Sequence, residues 1–190
     1  MVKNVFEKDS FVEVEVAYTI KQTTYYYLRV NKQTIDDEHI SAIVEILDHA
    51  PTEQDKQIIY QKYLAMLKSV KLGEIIDYDK SDQVNVFEID GQRAWLDKAT
   101  RVGLMNSLQI EKEAKHETTS LYLNGIQLVL PVDNAIEMLN ILELYAIECY
   151  RKTEEHKTNV IAISVIEDAE NYDIKSGYPE HPIFSTKNKE

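Results

Sequence analysis

The residues best equipped for chemistry in this chain are five histidines, one cysteine and 33 acidic side chains. His39, His49, His116, His156 and His181 lie far apart, and none falls in a His-Glu-x-x-His or comparable metal-ligand spacing. His39 and His49 would sit at opposite ends of one helix, out of reach of a common metal ion. Cys149, between Ile147 and Tyr150 on the apolar side of a predicted helix, reads as a small buried hydrophobe rather than a nucleophile. The five glycines form neither a phosphate-cradling loop nor a Gly-x-Ser-x-Gly elbow. Glu111 and Glu113 project from different helix faces, and Glu143 and Glu148 flank an apolar stripe. A general acid/base pair has no local signature, so spacing neither identifies nor dismisses one. Arg101 and Glu148 read as charges at the rim of the core that could pair, and Asp97 lies four residues before Arg101, a favourable helical spacing. No metal, cofactor or catalytic residue is expected.

The aromatic residues are candidates for contact rather than for chemistry. Trp95, just before a helix cap, reads as the apolar plug of a hairpin–helix junction. In Tyr25-Tyr26-Tyr27, strand alternation puts Tyr26 on the face opposite Tyr25 and Tyr27, so at least one ring turns away from the local core. Near the C-terminus, Ser176-Gly177-Tyr178-Pro179-Glu180-His181-Pro182-Ile183-Phe184 cannot be helical, because it holds two prolines and a glycine. It reads as an extended apolar arm presenting Tyr178, Pro179, Pro182 and Phe184.

The elements that position these residues follow from periodicity. Residues 11–20 and 25–30 are rich in branched and aromatic side chains and predict two strands. Ile40, Ile43, Val44 and Leu47 predict a helix over about 36–48, ended by Pro51. A second helix opens at Thr52, carries Ile58, Ile59, Tyr63, Met66, Leu67 and Val70, and meets a plausible stop at Gly73. The polar stretch 77–83 reads as a linker. Beyond it, residues 84–89 and 92–96 flank Asp90-Gly91, and residues 120–123 and 126–130 flank Asn124-Gly125. Both dipeptides signal type I′ hairpins. Asp97 caps a helix to about Ala114, with Val102, Met105 and Leu108 inward. Asp133 caps a long one with Ile136, Leu139, Leu142, Tyr145, Ala146, Cys149 and Tyr150 on its apolar side. A break is expected near Thr153–His156, then a last helical stretch from about Val160 to Glu167. The repeated hairpin–helix plan fits an old duplication or two independent uses of a common motif.

Composition bounds the rest. The chain has 190 residues, 44% of them apolar, enough for a core without disulfides. With 33 acids against 21 bases it lacks the basic face a nucleic-acid binder needs, and the acidic balance reads first as solubility. No run approaches the ~20 apolar residues of a membrane span, and none resembles a signal peptide. Synthesis and folding in a reducing cytoplasm are therefore expected.

Several segments in order carry a resemblance: Trp95-Leu96-Asp97-Lys98-Ala99-Thr100-Arg101-Val102-Gly103-Leu104, then Leu130-Pro131-Val132-Asp133, Leu142-Glu143-Leu144-Tyr145-Ala146, Tyr172-Asp173 and Gly177-Tyr178-Pro179. Over about residues 87–184 the chain resembles an uncharacterised bacteriophage and prophage domain family whose members are often encoded among tail and tail-fibre-assembly genes. The resemblance implies a virion or virion-assembly context and brings no catalytic residues.

The expectation is an α+β protein. An N-terminal hairpin plus two helices spans 1–78, a double hairpin–helix domain spans 84–184, and 185–190 form a polar tail. Its expected role is that of a structural component of a phage virion, in the tail or head–tail connector. It would be made in the host cytoplasm, homo-oligomeric, and in contact with other phage structural proteins but not with nucleic acid or membrane. An assembly chaperone is the alternative, and an acidic inhibitor of a host nuclease rests on charge alone. The candidate contact surfaces are the arm (Tyr178, Pro179, Pro182, Phe184) and a strand edge at Tyr25–Val30 with Tyr25, Tyr26 and Tyr27.

Overall fold

The computed structural model describes residues 4–5, 12–20, 23–30 and 45–186. The fold is α+β, with antiparallel hairpins and helices. It divides into two compact units, residues 1–71 with 160–172, and residues 72–159 with 173–190. The segment 160–172, placed by periodicity in the C-terminal domain, thus belongs to the first unit.

In the first unit, strands β1 (Asn4–Val5), β2 (Val12–Ile20), β3 (Thr23–Val30) and β4 (Glu45–Leu47) form an antiparallel sheet in the order β1-β2-β3-β4. β2 and β3 run in register from Val12↔Val30 to Ile20↔Thr23, with an irregularity between Val16 and Tyr18. β3 pairs on its other side with β4, through Tyr26↔Leu47, Tyr27↔Ile46 and Leu28↔Glu45. This corrects two expectations. The stretch Tyr25–Val30 is an interior strand, not an edge. Residues 45–47, expected as the last turn of a helix over 36–48, form strand β4 instead, and residues 36–44 of that expectation lie outside the described residues. A short apolar run serves either periodicity, and here pairing with the aromatic β3 decides it.

Helix α1 (Glu53–Lys80) opens on a reciprocal cap. The Asp55 backbone N–H donates to Thr52 Oγ1 at 3.3 Å, and the Thr52 N–H donates to Asp55 Oδ2 at 2.8 Å. Gly73 does not stop it. A mid-helix glycine costs only about 1 kcal/mol relative to alanine, and Ile75 just beyond is fully buried. Residues 77–80, expected to be linker, are the helix's last turn. The chain then tightens at Ser81, whose N–H donates to Tyr78 O at 3.0 Å, while Asn85 Nδ2 donates to Asp79 O at 2.6 Å. The first unit's core joins Leu28 of β3, Ile59, Tyr63 and Leu64 of α1, and Ile166 and Ala169 of α4 (Ile166–Glu170). Tyr60 Oη accepts from the Ile166 N–H at 3.1 Å, and Tyr63 Oη donates to Glu170 at 3.1 Å.

The second unit uses the hairpin–helix plan twice. β5 (Phe87–Ile89) and β6 (Gln92–Ala94) precede α2 (Lys98–Glu113). β7 (Thr118–Leu123) and β8 (Ile126–Pro131) precede α3 (Val132–Ala162). At both turns the φ angles suit type I′: 49° and 80° at Asp90-Gly91, 49° and 81° at Asn124-Gly125. Asp97 caps α2, accepting from the Thr100 N–H at 2.8 Å. The α3 helix runs unbroken through Thr153–His156, where a break was expected. Thr153 and His156 are buried, and the intervening charges pair at i,i+3 as Lys152–Glu155 and Glu154–Lys157. The break comes later, between Ala162 and Ile166. The main core gathers inward residues of both hairpins around Leu108 of α2 and Leu139 and Leu142 of α3.

Candidate contact surfaces

The C-terminal arm does not stand out from the molecule. Its strand β9 (Ile183–Phe184) lies parallel to β5, with Glu88↔Ile183 and Ile89↔Phe184, giving a sheet order β6-β5-β9. The N–H groups of Glu88 and Asp90 donate to Pro182 O and Phe184 O at 2.9 and 3.1 Å. Phe184 meets Phe87 edge to face at 5.8 Å, and the Thr186 N–H donates to Asp90 Oδ1 at 3.0 Å. Pro179 and Pro182 are half-buried, and Ile183 is the arm's large exposed apolar residue. Tyr25 and Tyr26 are half-buried within the interior strand β3, and Tyr27 occupies a position in the same strand.

Tyr178 completes a polar and aromatic cluster on α3. Its ring stacks on His156 at 5.6 Å and meets Tyr78 edge to face at 5.2 Å. Thr153 Oγ1 donates to Asp79 Oδ1 at 2.7 Å, so the Tyr178 hydroxyl, 2.9 Å from Thr153 Oγ1, is the donor of that pair. His156 Nε2 lies 2.9 Å from Ser176 O, which can only accept. Tyr145 Oη donates to Val84 O at 2.7 Å. Cys149 and His156 share α3 but stand seven residues apart, about 10 Å along the axis, too far for a thiol–imidazole pair. Burial raises the Cys149 thiol above its ordinary value, which disfavours a thiolate. These contacts tie the unit's own segments together.

That cluster sets an alkaline limit. Burial raises Tyr145 and Tyr178 as it raises Cys149, with a hydrogen bond to Cys149 adding to the effect at Tyr145. Groups held neutral in the folded state contribute stability that is complete below their unfolded pKa values, about 8.5 for cysteine and 10 for tyrosine. That stability is lost as pH climbs past those values. The urea midpoint is expected to fall between pH 8 and 10.5, and Cys149→Ala to remove the first part of the fall. Superimposable profiles for the two proteins would contradict the assignment to Cys149.

The Arg101 side chain is another internal fixture, only 6% exposed. It donates to Leu96 O at 2.6 Å and to Glu143 Oε2 at 2.8 Å, and its guanidinium lies over the Trp95 ring at 5.2 Å. Its ionic partner is therefore Glu143, not the exposed Glu148 expected from the sequence. Trp95 does act as a plug, packing against both the main core and the Tyr145–Cys149 cluster.

Further exposed apolar surface lies on faces that the sequence reading missed. On the β7–β8 hairpin, Leu121, Leu123 and Leu130 point inward, while Tyr122 (69% exposed) and Val129 (61%) point out. The outward cross-strand pairs are Thr118↔Pro131, Ser120↔Val129 and Tyr122↔Gln127, and no residue from 118 to 131 is charged. On α3, Leu144 (64%) and Ile147 (41%) face away from the core, and Tyr150 (62%), expected on the apolar side, is exposed. Val102, expected inward, is also exposed. It lines a groove of about 250 Å³ between α2 and α3 with Arg101, Met105, Asn140 and Glu143. Helical spacing could have found Leu144 and Ile147, which lie opposite the Leu142–Tyr145–Cys149 stripe. Alternation could have found Tyr122.

Among the described residues, no group of three His, Cys, Asp or Glu side chains could hold a metal ion. No helix among them is long and apolar enough to cross a membrane. No protein-family model, curated protein or solved structure matches this chain.

Proposed function

We propose that this chain is a non-enzymatic structural protein of a bacteriophage virion, a tail or head–tail connector component that works through protein–protein contacts. The observation that carries the contact role is the outer face of the β7–β8 hairpin, where Tyr122 and Val129 lie open on an uncharged surface of an otherwise acidic chain. Strands that meet water usually carry charges, which block unwanted pairing, and a run without them suits a face covered by a partner. The phage context rests on the resemblance of residues 87–184, and its partners are accordingly other phage structural proteins. The test is mass spectrometry of purified particles from the strain that encodes the protein. Presence at a fixed ratio to known tail or connector proteins supports the reading and gives the copy number. Absence from particles, with abundance in infected cells, overturns it in favour of an assembly chaperone.

A further inference from the structure

We infer that α3 is a dimerisation helix, pairing antiparallel with α3 of a second copy about a two-fold axis at Ile147. The inference deepens the contact-protein reading by naming one partner and one face, and it uses only residues of the second unit. Leu144 and Ile147 occupy the solvent-facing side of a helix whose opposite side, Leu142, Tyr145 and Cys149, is buried. Large apolar groups diametrically opposite a helix's own core stripe are unusual unless something covers them.

The charges around these residues select the partner. A two-fold axis through Ile147 sets each residue k positions before it against the residue k positions after it on the other copy. Leu144 then meets Tyr150, Glu143 meets Arg151, Asn140 meets Glu154 and Glu137 meets Lys157, each twice. These side chains are exposed or half-exposed, and Glu143 keeps half its surface free despite its bond to Arg101. No like charges are opposed. Moving the axis to lie between Tyr145 and Ala146 would set Glu143 against Glu148 and Glu137 against Glu154. A parallel pair would set Glu143 against Glu143 and Arg151 against Arg151. For a chain of net charge −12, which repels its own copies, this register removes the repulsion where the helices touch.

Sedimentation velocity on the full chain is expected to show a concentration-dependent monomer–dimer equilibrium. Ile147→Asp should weaken it about 100-fold, since the change enters the contact at its centre. Lys157→Glu alone should weaken it on the order of tenfold, and adding Glu137→Lys should restore most of the loss. Circular dichroism checks that each variant is folded, Ile147 and Glu137 being exposed and Lys157 half-exposed. Under mild oxidation Ile147→Cys should crosslink to itself. Leu144→Cys should crosslink to Tyr150→Cys in a mixture rather than to itself, because its two copies are offset by about 9 Å along the helices. A wild-type chain that stays monomeric overturns the inference, as does a dimer indifferent to Ile147→Asp or a Leu144→Cys variant that crosslinks as readily as Ile147→Cys. Dimers of a protein absent from virions would sink the virion reading alone. A virion component that is monomeric in solution would sink this one alone.

Discussion

Replacing Arg101 with alanine is expected to lower folding stability by about 3 kcal/mol. The guanidinium is almost fully buried, and the carbonyl of Leu96, 2.6 Å away, is left without this donor when it goes. Losing a buried partner exposes the full desolvation cost of the orphaned group, about 1 to 3 kcal/mol. The arginine stem and the plane stacked over Trp95 also leave a gap beside the main core. Glu143 contributes much less. Its side chain is 51% exposed, so water screens the pair and solvates the carboxylate when the bond is broken. Glu143→Gln should therefore cost under about 1 kcal/mol. Arg101→Lys should recover less than half of the loss, since an ammonium cannot bond the carbonyl and cover the indole at once. Urea unfolding followed by the fluorescence of Trp95, the chain's one tryptophan, reads all three variants. Equal destabilisation by Arg101→Ala and Glu143→Gln would mean that the ion pair, not the buried donor, holds this corner.

The parts of this fold that were legible in the sequence are those whose determinants are local. Asp90-Gly91 and Asn124-Gly125 announce their turns because few other dipeptides accept positive φ at both positions. Asp97 announces α2 because a carboxylate at that position accepts the orphan N–H of Thr100. The misread segments are those decided at a distance. The residues of β4 take the extended form because β3 offers them a pairing edge. The α3 helix passes through Thr153 and His156 because Asp79 and Ser176, remote in sequence, satisfy their polar groups in the core. The course of the C-terminal arm is likewise decided at a distance. An arm with two prolines looks unpartnered until β5, some 95 residues earlier, is seen to receive it. The open faces at Tyr122 and Leu144 were legible in principle, since strand alternation turns Tyr122 away from Leu121 and Leu123 and helical spacing sets Leu144 opposite the buried stripe.

Tyr178 separates the two views of that arm. Tyr178→Ala is expected to destabilise the chain by about 2 to 3 kcal/mol, less than a fully buried aromatic because the ring is only half-buried. It removes the stack on His156, the edge contact with Tyr78 and the hydroxyl bond to Thr153 together. Tyr178→Phe keeps both ring contacts and loses only that bond, worth about 1 kcal/mol. Thr153 still donates to Asp79 in this variant, so no buried donor is stranded. The arm's other anchors, the two-residue β9 and the bonds to Asp90, span few residues and do not substitute for the ring. Trypsin should therefore cut after the exposed Lys175 about tenfold faster in Tyr178→Ala than in the wild type, with Tyr178→Phe close to wild type. A surface contact residue would behave otherwise, leaving stability and proteolysis unchanged on truncation while weakening only the partner's binding. Because Tyr178 meets Tyr78, Thr153 and His156 of its own unit, loss of stability is the outcome that the physical arrangement requires.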